Sequence, residues 1–417
     1  MVGHALVALV ALSGDLRVQG DATSESRAGE TPILAGQPSQ AFVAEVLTPL
    51  VALTYRDAGV IFEVSYAPRI YWADPNPLGR LAPLLLHTVN LTLDDQMTPR
   101  FRLLAAATGS VGEADYTTLT QILGTVQGAL PPVQDLASVT GRASIRGDLA
   151  ERWKLELGAG GLYWKWLQAP PNLPPQTILW QASAAEDATL LYRVTPRHDL
   201  GFGVAFAQAR YSFGLDVLTI GPTATWKVRL TPSDDLRLML GLAYVRTDGP
   251  MPAGTMPLLG PSGQAVSPVG AFEFLSRVAR ADEVWFSALA KGGVDFYVDP
   301  VIGTAVPRAS IEAGIAAAKV PDWLATLRGG FATPIRTTPF VVPAGVVAPD
   351  ETAFAVTLSL RKRFSMNFFG EVGVRWADRG PALVTPDFHF HQRQLYLYVE
   401  LIGTTRQVPT PKTPGSV

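Results

Sequence analysis

No cysteine occurs in the 417 residues, which excludes disulfide frameworks, thiol nucleophiles and cysteine metal sites. Charge is scarce as well. Only 17% of the chain is Asp, Glu, Lys or Arg, against about a quarter in soluble domains. The two signs nearly cancel, with 34 Lys and Arg against 36 Asp and Glu and a net charge of −2. That balance argues against a generally basic nucleic-acid binder and against an acidic disordered chain. Long apolar runs are missing too, since none reaches the roughly 18 residues of a helical membrane span. What is plentiful is Gly (38) and Pro (34), with 18 Phe, 11 Tyr and 9 Trp. This is a vocabulary of turns and strands.

Residues 5–13, ALVALVALS, have the length of a signal-peptide core but lack a leading Lys or Arg and a clean small-x-small site. Residues 1–12 therefore read either as a signal remnant or as a lead-in to the first strand, because 15–21 alternate at once.

The main signal is two-residue alternation repeated along the whole chain. Val60, Phe62, Val64 and Tyr66 interleave with Ile61, Glu63, Ser65 and Ala67. The same holds for Phe354 to Arg361 and for Arg308 to Ala317. Successive strand side chains point to opposite faces, so each segment has one apolar and one polar face. Short turns such as Asp57-Ala58-Gly59, Thr98-Pro99, Thr195-Pro196-Arg197 and Thr231-Pro232-Ser233-Asp234 alternate with longer loops at 22–40, 111–135, 167–177, 248–267 and 336–350.

Nine strand pairs follow, hence about 18 strands over 13–402, each long enough for a tilted membrane crossing of about 9–11 residues. The fold class expected is all-β: a closed antiparallel transmembrane β-barrel in one domain. A β-propeller also has a period of about 40–45 residues, but its blades need four short strands where this chain has two long ones.

These features resemble Gram-negative outer-membrane β-barrels. The Leu230-Thr231-Pro232 turn and the turn Val194-Thr195-Pro196-Arg197 are similar to porin-like barrels of myxobacterial type. The resemblance implies an outer-membrane location, short periplasmic turns, longer extracellular loops, and insertion by the assembly machinery. It departs at the end of the chain. Such barrels commonly finish on an aromatic residue, whereas a polar tail (403–417) follows Gln394-Leu395-Tyr396-Leu397-Tyr398-Val399-Glu400-Leu401 here.

In such a barrel the apolar face meets outer-membrane lipid and the polar face lines the lumen. Parity then places Arg69, Arg102, Arg142, Arg146, Arg193, Arg229, Glu273, Arg277, Asp295, Glu312, Arg328, Arg361, Glu371 and Arg375 inside as pore-lining residues. Over all strands, about 18 basic and about 10 acidic positions face inward, a density that only a wet interior tolerates. Trp153, Trp285 and Trp323 beside short turns, with Trp72, Trp164, Trp166, Trp180 and Trp376 near long loops, suggest two interfacial belts. Adjacent Glu186-Asp187, and Gln208 with Arg210 on an apolar parity, call for a β-bulge in each strand.

Catalytic signals are poor. Of five histidines (His4, His87, His198, His389 and His391), the last two share a face, but no third ligand is evident. No nucleophile elbow occurs. Gly158, Gly160 and Gly161 lack a phosphate-loop Lys and read as glycines in a crowded strand. Leu119, Ile122, Leu123 and Val126 predict a short helix in the 115–130 loop, either packed on its neighbours or folded over the pore.

The functional expectation is passive diffusion of small polar solutes with a weak anion bias, without catalysis, cofactor or nucleic-acid partner. The alternative is a plugged barrel presenting its loops to protein partners. No strand shows an outer face unsuited to lipid.

Overall fold

The computed structural model describes residues 15–31, 40–74, 82–115, 133–168, 179–212, 214, 216–249, 264–281, 284–299, 304–319, 322–335, 352–365, 367–379, 390–402 and 406–408. No helix occurs among them. The strands are β1 (Asp15–Thr31), β2 (Gln40–Asp57), β3 (Val60–Tyr66), β4 (Arg69–Asp74), β5 (Leu84–Thr98), β6 (Phe101–Asp115) and β7 (Val133–Asp148). Next come β8 (Trp153–Trp166), β9 (Trp180–Thr195), β10 (His198–Tyr211), β11 (Asp216–Arg229), β12 (Asp234–Asp248), β13 (Gln264–Ala281) and β14 (Val284–Asp299). The last are β15 (Thr304–Lys319), β16 (Trp323–Pro334), β17 (Ala353–Ser365), β18 (Phe368–Arg379), β19 (Phe390–Ile402) and β20 (Arg406–Val408). Asp115, the first residue of the predicted 115–130 helix, instead ends β6, and the rest of that segment lies outside the described residues, as do His4 and His389.

All pairings are antiparallel, and the sheet closes. β1 pairs with β2 from Asp15↔Arg56 to Thr31↔Gln40, and with β19 from Asp21↔Ile402 to Gly29↔Gln394. β3 and β4 both lie between β2 and β5 and are separated at Ala67-Pro68. Proline has no N–H for the ladder, so one stave is broken into two halves there. β20 runs on along Leu16–Val18 of β1 and prolongs β19 beyond the boundary expected at 402. Twenty strands thus make 18 staves, in agreement with the alternation count.

Of the loop expected at 22–40, residues 22–31 are strand instead. Residues 22–31 are polar and small, but the ladder of β2 extends over all of them and that of β19 reaches Gly29, so backbone pairing decides their state.

Short turns close by local chemistry. At the first, Gly59 takes φ +92°, a conformation side chains resist, and the Asp57 Oδ1 accepts the Ala58 N–H at 2.7 Å. At 230–234, the Asp234 carboxylate accepts hydroxyl protons from Thr231 and Ser276, each at 2.6 Å.

One parity carries the large exposed apolar side chains around the wall: Val51, Leu91, Phe202, Leu240 (71% exposed), Val266, Ile315, Leu358, Val374 and Leu397. Ion pairs that bridge strands two or three apart use the other parity, which only the concave side permits. The apolar face is therefore the outer one. A continuous apolar band of this size is a surface for hydrocarbon.

Trp72, Trp153, Trp180, Trp226, Trp323 and Trp376 lie on the outward parity. Two aromatic pairs sit there as well. Tyr66 stacks on His87 with Oη···Nδ1 at 2.7 Å, and the Trp226 indole N–H donates to His198 Nδ1 at 3.2 Å. Three tryptophans expected in the belts face inward instead. Trp164 and Trp166 are buried inside the barrel, and Trp285 has inward parity opposite Ala318. Position near a strand end says nothing about face, and parity sets these three inward.

The two expected bulges are absent. Pairing of β9 with β8 and β10 is unbroken through Glu186-Asp187, and β10 stays in register with β11 to Arg210. Ladders on both sides hold the parity, so Asp187 points in and Glu186 points out. Arg210 also faces out and bonds Asp216 at 3.3 Å at the loop-side end.

The outer wall is not uniformly suited to lipid either. Ala105, Ala107, Gly141, Ala143, Ala159 and Gly161 floor a shallow depression of about 460 Å³ rimmed by Phe62, Leu91 and Leu93. Glu186 stands beside it, opposite Ala159 and Phe206. An outward charge is unfavourable in the band, by less than the roughly 2–4 kcal/mol of a mid-plane Arg or Lys. Glu186→Leu is thus expected to raise the urea midpoint of the barrel folded in lipid vesicles. A lowered midpoint would mean that the carboxylate makes a stabilising contact there.

Candidate functional site

The pore-lining residues inferred from alternation fall on the inward parity. They are Arg69 on β4, Arg102 on β6, Arg142 and Arg146 on β7, Arg193 on β9, Arg229 on β11, and Glu273 and Arg277 on β13. Asp295 on β14, Glu312 on β15, Arg328 on β16, Arg361 on β17, and Glu371 and Arg375 on β18 complete the set. For Asp295 this is a statement of backbone parity alone. Acids at strand ends share the face: Asp94, Asp148, Asp199 and Asp235. The basic excess is therefore narrower than the alternation suggested. Those acids lie next to turns, where strand limits are hard to place from sequence.

Many lumen charges are paired. Lys227 reaches Glu156 at 2.7 Å, Lys291 reaches Glu312 at 2.8 Å, and Asp199 takes both Lys154 (3.0 Å) and Arg193 (3.8 Å). Arg102 bonds Asp94, and Arg361 on β17 spans β18 to bond Glu400 on β19. The last pair ties the staves next to the closing seam. Glu400→Ala removes it and leaves the part-buried Arg361 with less compensation, an expected loss of about 1 kcal/mol in a wet interior. Urea unfolding in vesicles reads this directly, and an unchanged midpoint would show the pair to be neutral.

Among the described residues, Arg142, Arg146, Arg237, Arg277 and Arg328 have no ion-pair partner. Arg237 belongs to a cavity of about 570 Å³ at the turn-side mouth. Its lining holds Lys154, Arg193, Arg197, Lys227, Arg229 and Arg237 against Asp199, Asp235 and Glu273. Lys227 and Arg237 face each other directly across β11 and β12, a like-charge juxtaposition. The basic side chains converge because β8 to β13 present their turn-side inward positions to one concave strip.

The loop-side half differs. Leu84, Leu86, Ala114, Leu136, Trp164, Trp166, Val217, Ala243 and Val245 all point inward and are buried. Leu86, Ala114 and Leu136 form one cluster. Trp164 donates its indole N–H to Gln181 at 3.1 Å. This collar is not visible in the alternation, which marks inward positions as polar throughout. Leu84 and Leu86 flanking outward Leu85 make a continuous apolar run that hides the parity.

Between the two halves, β8 places Gly158 and Gly160 inward, with Arg142 opposite Gly160 and Asp187 opposite Gly158. A Cβ on Gly158 would lie 2.3 Å from Asp187 Oδ1, and one on Gly160 would lie 3.1 Å from the Gly141 carbonyl oxygen. Backbone crowding is thus a sufficient reason for Gly160, while at Gly158 a Cβ would displace the Asp187 carboxylate. Gly160 borders an open cavity of about 610 Å³ that also contacts Arg142, Ser183, Asp187, Tyr211 and Thr219.

No family model matches the chain, and no curated protein matches it. Solved structures with a similar course of the chain include the outer membrane protein OpdK from Pseudomonas aeruginosa, at 11% identity, covering 93% of this chain and 99% of that one, TM-score 0.45. Another is the FrpB iron transporter from Neisseria meningitidis, at 10% identity, 93% and 82% coverage and TM-score 0.47. Pseudomonas aeruginosa OprD gives 10% identity, 95% and 96% coverage and TM-score 0.41. OpdK and OprD are Gram-negative outer-membrane barrels, and none of the three supports the myxobacterial likeness of the turns. Each TM-score is below 0.5, so the functional reading rests on this chain's own wall.

Proposed function

We propose that the chain is an outer-membrane pore for passive diffusion of small polar solutes, with a bias toward anions set at its turn-side mouth. The observation that supports it is the basic cavity on β8 to β13, where six cationic side chains face three acids and Arg237, though level with Glu273, makes no ion pair among the described residues. Such a strip attracts anions into the mouth, while Asp199, Asp235 and Glu273 keep them from being trapped. The reading needs no cofactor and no chemical step. Insertion by the outer-membrane assembly machinery and exposure of the long loops to the outside belong to the same proposal.

Planar-bilayer recording of the refolded protein tests it. Discrete steady steps are expected, with a reversal potential under a KCl gradient that favours chloride. Replacing both Lys227 and Arg237 by Glu is expected to cut the chloride-to-potassium permeability ratio several-fold. Cation preference in the parent protein would overturn the bias and leave the pore.

The buried apolar collar favours a second reading, a barrel closed on its loop side that serves as a platform for partners. Silence from protein verified as folded and inserted would support that reading instead.

A further inference from the structure

We propose that Arg142 and Asp187 form a mid-lumen binding site for a zwitterion of α-amino-acid type, its carboxylate on the guanidinium and its ammonium on the carboxylate. This rests on the lumen being a water-filled passage and adds a solute class to that reading.

The two side chains come from β7 and β9, the staves on either side of β8, and both point inward. The inward positions of β8 between them are Gly158 and Gly160, so no side chain stands in the gap. A ladder spacing of about 4.8 Å, with a two-residue offset at about 3.4 Å per residue, puts their Cα atoms about 12 Å apart.

The inward residues next along each strand and directly opposite on β6 and β10 are small and uncharged, and Glu156, diagonal to Asp187 on β8, is taken by Lys227. Ala106, Ser144 and Thr140 surround Arg142, and Ala185, Ala205 and Thr189 surround Asp187. Neither side chain has a hydrogen-bond or ion-pair partner among the described residues. Several other charges of this wall are bridged instead. Lys154 meets Asp199 across one stave, and Lys227 meets Glu156 across two.

Two opposite, unpaired charges thus border an open cavity of about 610 Å³ from separate staves. A solute carrying both signs can satisfy both at once. A simple anion or cation satisfies one and leaves the other beside it unpaired. Bidentate geometry suits the guanidinium to a carboxylate, and a point-charge ammonium suits the Asp187 carboxylate.

The test uses the full chain folded in detergent micelles, with ligand-observed saturation-transfer NMR. The probes are L-alanine (both charges), L-lactate (anion only) and ethylammonium (cation only). Saturable alanine binding is expected, with lactate and ethylammonium each at least several-fold weaker. Arg142→Gln and Asp187→Asn should each weaken alanine binding several-fold, while heat-modifiable mobility shows the barrel still folded.

Lactate binding as tightly as alanine, alanine binding indifferent to Asp187→Asn, or no saturable alanine binding would each overturn the site. Conductance of the same preparation separates the two readings. Conduction without alanine binding removes the site and keeps the pore, and alanine binding without conduction removes the pore and keeps the site.

Discussion

Leu240→Arg will cost the barrel about 2–4 kcal/mol of folding free energy in a bilayer, while Met239→Arg, one residue earlier, will cost under about 1 kcal/mol. The two residues lie in the middle of β12 on opposite faces. Leu240 is 71% exposed on the outside, level with Ala224 and Gly270. Met239 faces the lumen, level with Thr225 and Ala271. An outward guanidinium at mid-height must be desolvated in hydrocarbon or drag water into the membrane. An inward one keeps its water, and its repulsion with Arg237 on the same face is screened by salt. Reversible urea unfolding in short-chain lipid vesicles measures both. Equal costs at the two positions would show that the wall does not separate lipid from water as its parity implies.

Gly112→Ala will destabilise the barrel by about 3 kcal/mol or prevent its assembly, whereas Gly109→Ala on the same strand will stay within about 0.5 kcal/mol. Gly112 has φ +127°, a region that side chains rarely enter, and its Cβ would lie 2.2 Å from the Leu85 carbonyl oxygen. Both terms oppose the substitution, and backbone is what would have to move. That movement would break the β5–β6 ladder beside the Leu86, Ala114 and Leu136 cluster. A Cβ on Gly109 meets nothing nearer than the Ser138 carbonyl oxygen at 4.0 Å. The heat-modifiable gel shift and the urea midpoint distinguish the two variants. A Gly112→Ala barrel as stable as its parent would mean that the local backbone relaxes without cost.

Little of the site's geometry could be read before the structure. Alternation along Arg361, Glu371 and Arg375 set their shared face, yet nothing in the order of residues says that Arg361 bonds Glu400 across an intervening stave. Glu156 and Lys227 are separated by 71 residues and meet only because three successive ladders set β8 and β11 on one concave wall, with Glu156 level with Thr223, four residues from Lys227. The same holds for the convergence of Lys227, Arg229 and Arg237 at one mouth.

The alternation was a good guide to strands and a poor one to exceptions. It called for bulges at Glu186 and Arg210, where a single outward charge is tolerated because ladders on both sides hold the parity. It placed Trp164 and Trp166 in a belt, whereas their parity buries them inside.

By itself, then, the sequence determined an all-strand chain of about 18 long staves, the two faces of each strand, and the turns between most of them. These are local matters. The pleat sends successive side chains to opposite sides, and Pro, Asp and Gly bend the chain wherever they occur. Only the tertiary structure decided the closing of β1 on β19, the extension of β1 to Thr31, the apolar collar, and the facing of Arg142 and Asp187 across a glycine gap. Those depend on which residue stands opposite which. Register is set by hydrogen-bond ladders between segments far apart in the chain, and a shift of one residue would turn every side chain to the other face.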